Sequence, residues 1–276
     1  MNKLELDPEA SPRARFGVEL RLYREQLGMT QVEFGTRLGR SGSLISAVET
    51  GSRSPTLQFA RRVDQKFDTG NRFAELYWDV QASAMLHGFA DYASQEARAV
   101  EIRVFEIGII PGLLQTQAYA ETLAAAALAR GAITPAQAEE RVALVLGRQR
   151  IFELVPAPRI YVILDESCIR RPVGDAAIWG DQLDQLVAHA QRPNVTLQVA
   201  PFCIGEARSL NLPVYLLALP DRSVAAYSES AQQGFFERDP DAVAPLLSAY
   251  HHLQVEALPQ APSVELIRTA RKDVHP

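Results

Sequence analysis

Apolar residues recur at helical spacing through the first seventy positions. Phe16, Leu20, Tyr23 and Leu27 follow i, i+4, i+7, i+11, one face of a helix over roughly residues 13–27 that Gly28 ends. "TQVEFGTRLG" (30–39) predicts a second helix. Thr30 caps it, and Glu33 reaches back in a T-x-x-E capping box. Phe34 and Leu38 face the core, Gly35 leaves room for a close neighbour, and Gly39 supplies the turn. In "SGSLISAVETG" (41–51), Ser41 or Ser43 can cap a third helix, with Ile45 and Val48 inward and Gly51 just past its end. Ser54 reads as the cap and Pro55 as the first residue of a fourth helix, whose inner face is Phe59, Ala60, Val63 and Phe67.

Residues 71–100 continue as helix, with Phe73, Leu76, Tyr77 and Val80 on one side, and read as a rigid helical linker. Phe73, Tyr77 and Trp78 are expected to pack between modules. Beyond it the period changes. Strands are predicted in 101–116, broken at Pro111-Gly112, and in 159–171, 194–202 and 212–230, the last with a turn at Pro220-Asp221. Helices are predicted at 117–130, at 135–154 capped by Thr134, at 175–191, from Asp239-Pro240 to about 257, and from about 263. The expected architecture is an all-α helix-turn-helix bundle over 13–70, followed by an α/β or α+β domain with a mixed sheet over 101–276.

Charge sharpens this division. Residues 11–72 hold 11 Lys/Arg and 6 Asp/Glu, a net +5, whereas the remainder is net −10. A basic module beside an acidic one suggests a single nucleic-acid-binding part. No apolar run approaches the length of about 18 residues that a membrane span needs, and the N-terminal stretch has no apolar signal region. Two cysteines, Cys168 and Cys203, are too few for a disulfide framework or a structural zinc site. A cytoplasmic, nucleoid-associated protein with no membrane partner is the expectation.

"LRLYREQLGMTQVEFGTRLGRSGSLISAVETGSRSP" resembles the lambda-repressor-like (Xre-type) DNA-binding domains. The match lies in the apolar-Arg first helix, "TQ" opening the second, "I-S-x-V-E-x-G" in the third and Pro opening the fourth. The resemblance implies major-groove binding of double-stranded DNA. It implies a phosphate contact from Gln31, beside Thr30 at the start of the second helix, and a partly buried ion pair between Arg24 and Glu49. This chain departs from the family's pattern at Gly42, where a base-reading polar residue is common, at Ala47 for Arg or Lys, and at Arg40 for a small apolar residue. Leu44 and Ala47 could touch thymine methyls, and Ser43 and Ser46 could make single hydrogen bonds. Arg40 and Arg53 flank the helix as expected phosphate contacts, which position without specifying sequence. The DNA-binding set is therefore Thr30, Gln31, Arg40, Ser41, Gly42, Ser43, Leu44, Ser46, Ala47 and Arg53. With so little direct readout per subunit, a homodimer is expected.

The second half invites catalytic readings that the residues do not support. Asp165 and Glu166 are adjacent on a strand and point to opposite faces, so ion pairing with Arg170 and Arg171 is the expectation. Cys168 and Cys203 read as buried, inert thiols. His251 and His252 lie about 100° apart on a helix and cannot chelate a metal together. No phosphate-binding glycine loop is present. No cofactor, metal or catalytic residue is assigned, and an enzyme is not expected. "IPGLLQTQAYA", "LDESCIRRPVG" and "RPNVTLQVAPF" resemble motifs of a C-terminal domain of unknown function that follows Xre-type modules in actinobacterial, antitoxin-like regulators. That resemblance implies transcriptional regulation and a small partner protein encoded nearby. Residues 101–276 are thus expected to act as a sensor or partner-binding domain, with a ligand or partner site near Glu166, Arg170 and Arg171. The alternative is an antitoxin-like interaction module with weak DNA binding.

Overall fold

A computed structural model of the chain describes residues 8, 12–84, 89–229 and 234–274. The chain divides into two compact units, Met1–Met85 and Leu86–Pro276.

The first unit is all α: α1 (Pro12–Gln26), α2 (Gln31–Arg37), α3 (Gly42–Glu49), α4 (Leu57–Phe67) and α5 (Arg72–Ala84). Phe16, Leu20, Phe34, Leu38, Ile45, Val48, Phe59, Val63 and Phe73 form its buried core. The Phe34 and Phe67 rings stack at 4.6 Å, and Phe16 and Tyr23 each meet Phe73 edge-on at 5.7 Å. The helical period locates most of this face, but Leu27 lies past the end of α1 and is 39% exposed. The fourth helix also starts later than its Ser-Pro signal suggests. Its cap is Thr56, whose side chain accepts from the Phe59 N–H at 3.1 Å. Ser54 is engaged elsewhere, accepting from Arg13 at 3.4 Å.

Of the stretch 71–100, α5 belongs to the first core. Residues 85–88 lie outside the described residues, and α6 (Phe89–Glu96) belongs to the second unit. Phe73, Tyr77 and Trp78, expected between modules, have their partners inside the first unit. The reason is Asp64, a buried carboxylate on α4. It accepts from the Phe73 and Ala74 N–H groups at 3.0 and 2.9 Å and so binds the free start of α5 to the bundle.

The second unit is built on a six-stranded sheet in the order β3-β2-β1-β4-β5-β6. Its strands are β1 (Glu101–Glu106), β2 (Arg159–Asp165), β3 (Val195–Ala200), β4 (Val214–Ala218), β5 (Val224–Glu229) and β6 (Gly234–Glu237). β1, β2 and β3 are parallel, with Ile102 opposite Ile160 and Ile160 opposite Val195. β4, β5 and β6 add an antiparallel meander. Helices α7 (Gln117–Ala129) and α8 (Pro135–Arg148) join β1 to β2. The short α9 (Ser167–Arg170) and α10 (Ala176–Ala190) join β2 to β3, as parallel pairing requires. α11 (Pro240–Glu256) and α12 (Gln260–Lys272) close the chain. Phe105, Ile163, Leu216 and Ala226 meet Val243, Tyr250 and Leu253 of α11 on one face.

Two stretches depart from the strand pattern. β2 ends at Asp165, and "SCIR" turns into α9, because the Asp165 carboxylate accepts from the Ser167 N–H at 2.9 Å and caps a new turn. β6 lacks a clear period-2 signal: it is four residues long and begins at Gly234. No described helix is long and apolar enough to cross a membrane.

Candidate nucleic-acid interface

Close approach of backbones builds the α2–turn–α3 unit. The capping box is complete: Thr30 Oγ1 accepts from the Glu33 N–H at 3.2 Å, and the Thr30 N–H donates to Glu33 Oε2 at 2.8 Å. Gly39 sits at φ +62°, the left-handed geometry that lets the chain turn. Ser41 then caps α3, accepting from the Leu44 N–H at 3.3 Å, and its hydroxyl is 2.9 Å from that of Ser43. A Cβ on Gly42 would lie 2.9 Å from Val32 Cγ2 and 3.1 Å from Val32 Cα. Gly42 is thus the point where α3 rests on α2, and a longer residue there would push the helices apart.

The Glu49 carboxylate, fully buried at the end of α3, holds the three helices together. Arg24 of α1 donates to both of its oxygens, Nε to Oε1 at 2.5 Å and Nη2 to Oε2 at 3.0 Å. Arg24 Nη1 also reaches the Met29 carbonyl at 2.8 Å. The hydrogen bond to Glu49 outweighs the cost of burial and raises the pKa of Arg24, so the pair stays ionised. Gln31 Nε2 donates to Glu49 Oε2 at 2.8 Å, and Arg21 Nη2 reaches the Glu49 carbonyl at 3.4 Å. The side chain read from sequence as a phosphate contact is therefore held by the same carboxylate in this structure. Gly17 completes the fit, since a Cβ there would lie 2.8 Å from the Val48 carbonyl.

What faces outward is small. Ser43 is exposed, and Ser46 and Ala47 are half-buried. Leu44 turns partly into the bundle core. Arg40 precedes α3 and Arg53 follows it. Both are exposed, and neither guanidinium has a hydrogen bond or ion pair among the described residues. The Arg53 N–H closes the loop on the Ala47 carbonyl at 3.0 Å, while Arg13 Nε donates to the Gly51 carbonyl at 2.7 Å. The arrangement is a helix with a low profile between two free cations, which suits a groove flanked by phosphates. Sequence reasoning missed Arg13, Arg21 and Asp64. Their signal is long-range pairing, which periodicity does not carry.

In the second unit, Asp165 pairs with Arg208 at 3.0 Å and Glu166 with Arg170 at 3.1 Å. Glu166 also accepts from the Phe202 N–H at 2.9 Å. Arg171 stands apart from this pair, its Nη1 3.1 Å from where a Gly108 Cβ would be. Cys168 is buried: the Gly108 N–H donates to its sulfur at 3.2 Å, and burial pushes the thiol up to about 12. Cys203, expected to be buried, is exposed, because β3 ends at Ala200 and the chain runs out into a 3-10 turn.

Residues 15–73 match a helix-turn-helix domain family. Residues 89–269 match the family described as a domain of unknown function, DUF5753. No curated protein and no solved structure matches the chain.

Proposed function

Because the chain belongs to the DUF5753 family and carries a helix-turn-helix domain ahead of that domain, we propose that it is an Xre-type, sequence-specific transcriptional regulator acting as a homodimer in the bacterial cytoplasm. α3 enters the major groove with Ser43, Ser46 and Ala47 toward the bases, and Arg40 and Arg53 lie on the phosphates of either side. The observation that carries this reading is the unpaired, exposed state of those two arginines at the ends of a helix clamped by the Arg24–Glu49 pair. Thr30 and Ser41 cap the helices that present this surface. Gln31 can reach a phosphate only by leaving Glu49. Sequence preference then comes from a few single contacts, DNA shape and the spacing of two half-sites. Residues 86–276 supply no catalysis in this reading; they receive a ligand or a small partner protein.

The short side chains on α3 favour one second reading, an antitoxin-like module that mainly binds a neighbouring protein. Salt titration of duplex binding separates the two. A regulator loses affinity linearly in log–log form and keeps a preferred site at physiological salt. Loss of all binding above the lowest salt would instead support the interaction module. Genome-wide footprinting then gives the operator, and a palindromic site is the expected result.

A further inference from the structure

We propose that the cleft between the C-terminal end of α12 and the α9–α10 segment binds a small, flat apolar molecule that carries a carbonyl or carboxylate acceptor. The proposal rests on the reading above, in which the second unit receives a signal, and names one such signal's chemistry. The cleft has a volume of about 350 Å³, within the range of roughly 300–1,000 Å³ typical of small-molecule pockets. Its surface is mostly apolar, with Ile169, Pro172 and Trp179 on one side and Ala270 and Val274 on the other. Trp179 is 4% exposed, and its ring is held by stacking on Tyr119 at 6.3 Å. Its indole N–H has no hydrogen bond among the described residues. Buried tryptophan N–H groups usually find an acceptor, so this one is left for a ligand to satisfy. Arg170 lies on the rim. Its Nε is taken by Glu166 and its Nη1 is 3.5 Å from Asp273, which leaves Nη2 without a partner among the described residues.

The two unused donors define the polar end of the ligand and the apolar walls its body. The nearest acidic side chain on α10 does not compete for Trp179, because Asp175 accepts from the Ile178 N–H at 2.9 Å as the helix cap. The loop before it is held by Gly174 at φ +77°, where a Cβ would meet Ile178 at 3.0 Å. The wall is therefore shaped by local packing.

The test is an amide and indole NMR titration of the full chain with 2-naphthoate as probe. The chain has two tryptophans, Trp78 and Trp179, and Trp78→Phe assigns their indole signals. The expected result is a saturable downfield shift of the Trp179 N–H with the Trp78 signal unmoved. Binding should be about tenfold weaker in Arg170→Gln and for 2-methylnaphthalene, which lacks the acceptor. It should be lost in Ala176→Phe, which fills the cleft from a half-exposed position. The absence of a saturable shift, or a shift undiminished in Ala176→Phe, would overturn the proposal. Duplex binding measured on the same samples keeps the two readings apart. DNA binding with an unresponsive Trp179 refutes the cleft alone. A responsive Trp179 in a chain that ignores DNA upholds the cleft and refutes the regulator.

Discussion

The side chain that organises the first unit is a single buried carboxylate. Glu49 takes two bonds from Arg24 and one from Gln31. Removing one member of a buried ion pair strands the other charge, at a cost of about 3–5 kcal/mol. Glu49→Ala is therefore expected to lower the melting temperature of the first unit strongly. Arg24→Met combined with Glu49→Leu should recover much of the loss, and thermal unfolding by circular dichroism checks both. Arg53 behaves differently, because it has no partner to strand among the described residues. Arg53→Ala should leave the melt unchanged and weaken all duplex sequences alike. The slope of log affinity against log salt should fall by about one. A loss confined to one sequence would show that Arg53 reads bases.

At the scale of elements, start signals decide where helices sit. α4 begins under Thr56, not under the Ser54-Pro55 pair, because Ser54 already serves Arg13. Thr56→Ala should then cost about 1 kcal/mol of stability, as loss of a cap generally does. Ser54→Ala should cost less, since its bond to Arg13 is long. Urea unfolding of both variants measures the difference, and the reverse order would restore Ser54 as the cap. Glycine acts at the same scale. Gly17 and Gly42 let α1 and α2 approach α3 within backbone contact, so the small outer face and the tight inner fit of α3 belong to one packing solution.

Across the second unit, two buried titratable groups oppose each other. Glu106 ends β1 and is bonded to the Tyr215 hydroxyl. Burial raises its pKa from 4.5 to about 7, helped by Glu229 and opposed by that hydroxyl. His189 of α10 is lowered from 6.5 to about 4 by burial and by Arg192. Protonated Glu106 is the form the fold favours, so its contribution is complete below 4.5 and is lost as pH rises through 7. Neutral His189 is favoured, so its contribution is complete above 6.5 and is lost as pH falls toward 4. The two intervals are equally wide and overlap, so the two contributions nearly cancel in the intact chain. Glu106→Gln should expose the histidine, with stability falling below pH 6.5. His189→Gln should expose the glutamate, with stability rising as pH drops from about 8 to 5. Melting curves across that range check both, and parallel curves for the two variants would refute the assignment.

How much was legible in sequence follows from the range of each force. Period, caps and glycine turns act within a few residues, so they determined the helices of the first unit, the complete capping box at Thr30, most strands of the mixed sheet and the basic character of the first seventy positions. β6 escaped because a four-residue edge strand carries too few side chains to show alternation, and α9 because a cap at Asp165 competes with the strand. Only the tertiary structure decided which distant groups meet: Gln31 with Glu49, Asp165 with Arg208, Asp64 with the start of α5, and the unpartnered Trp179 N–H facing the end of α12. These contacts depend on where packed elements cross in space. That geometry is set by the fit of whole faces, such as the absence of a Cβ at Gly42, and no local pattern encodes it.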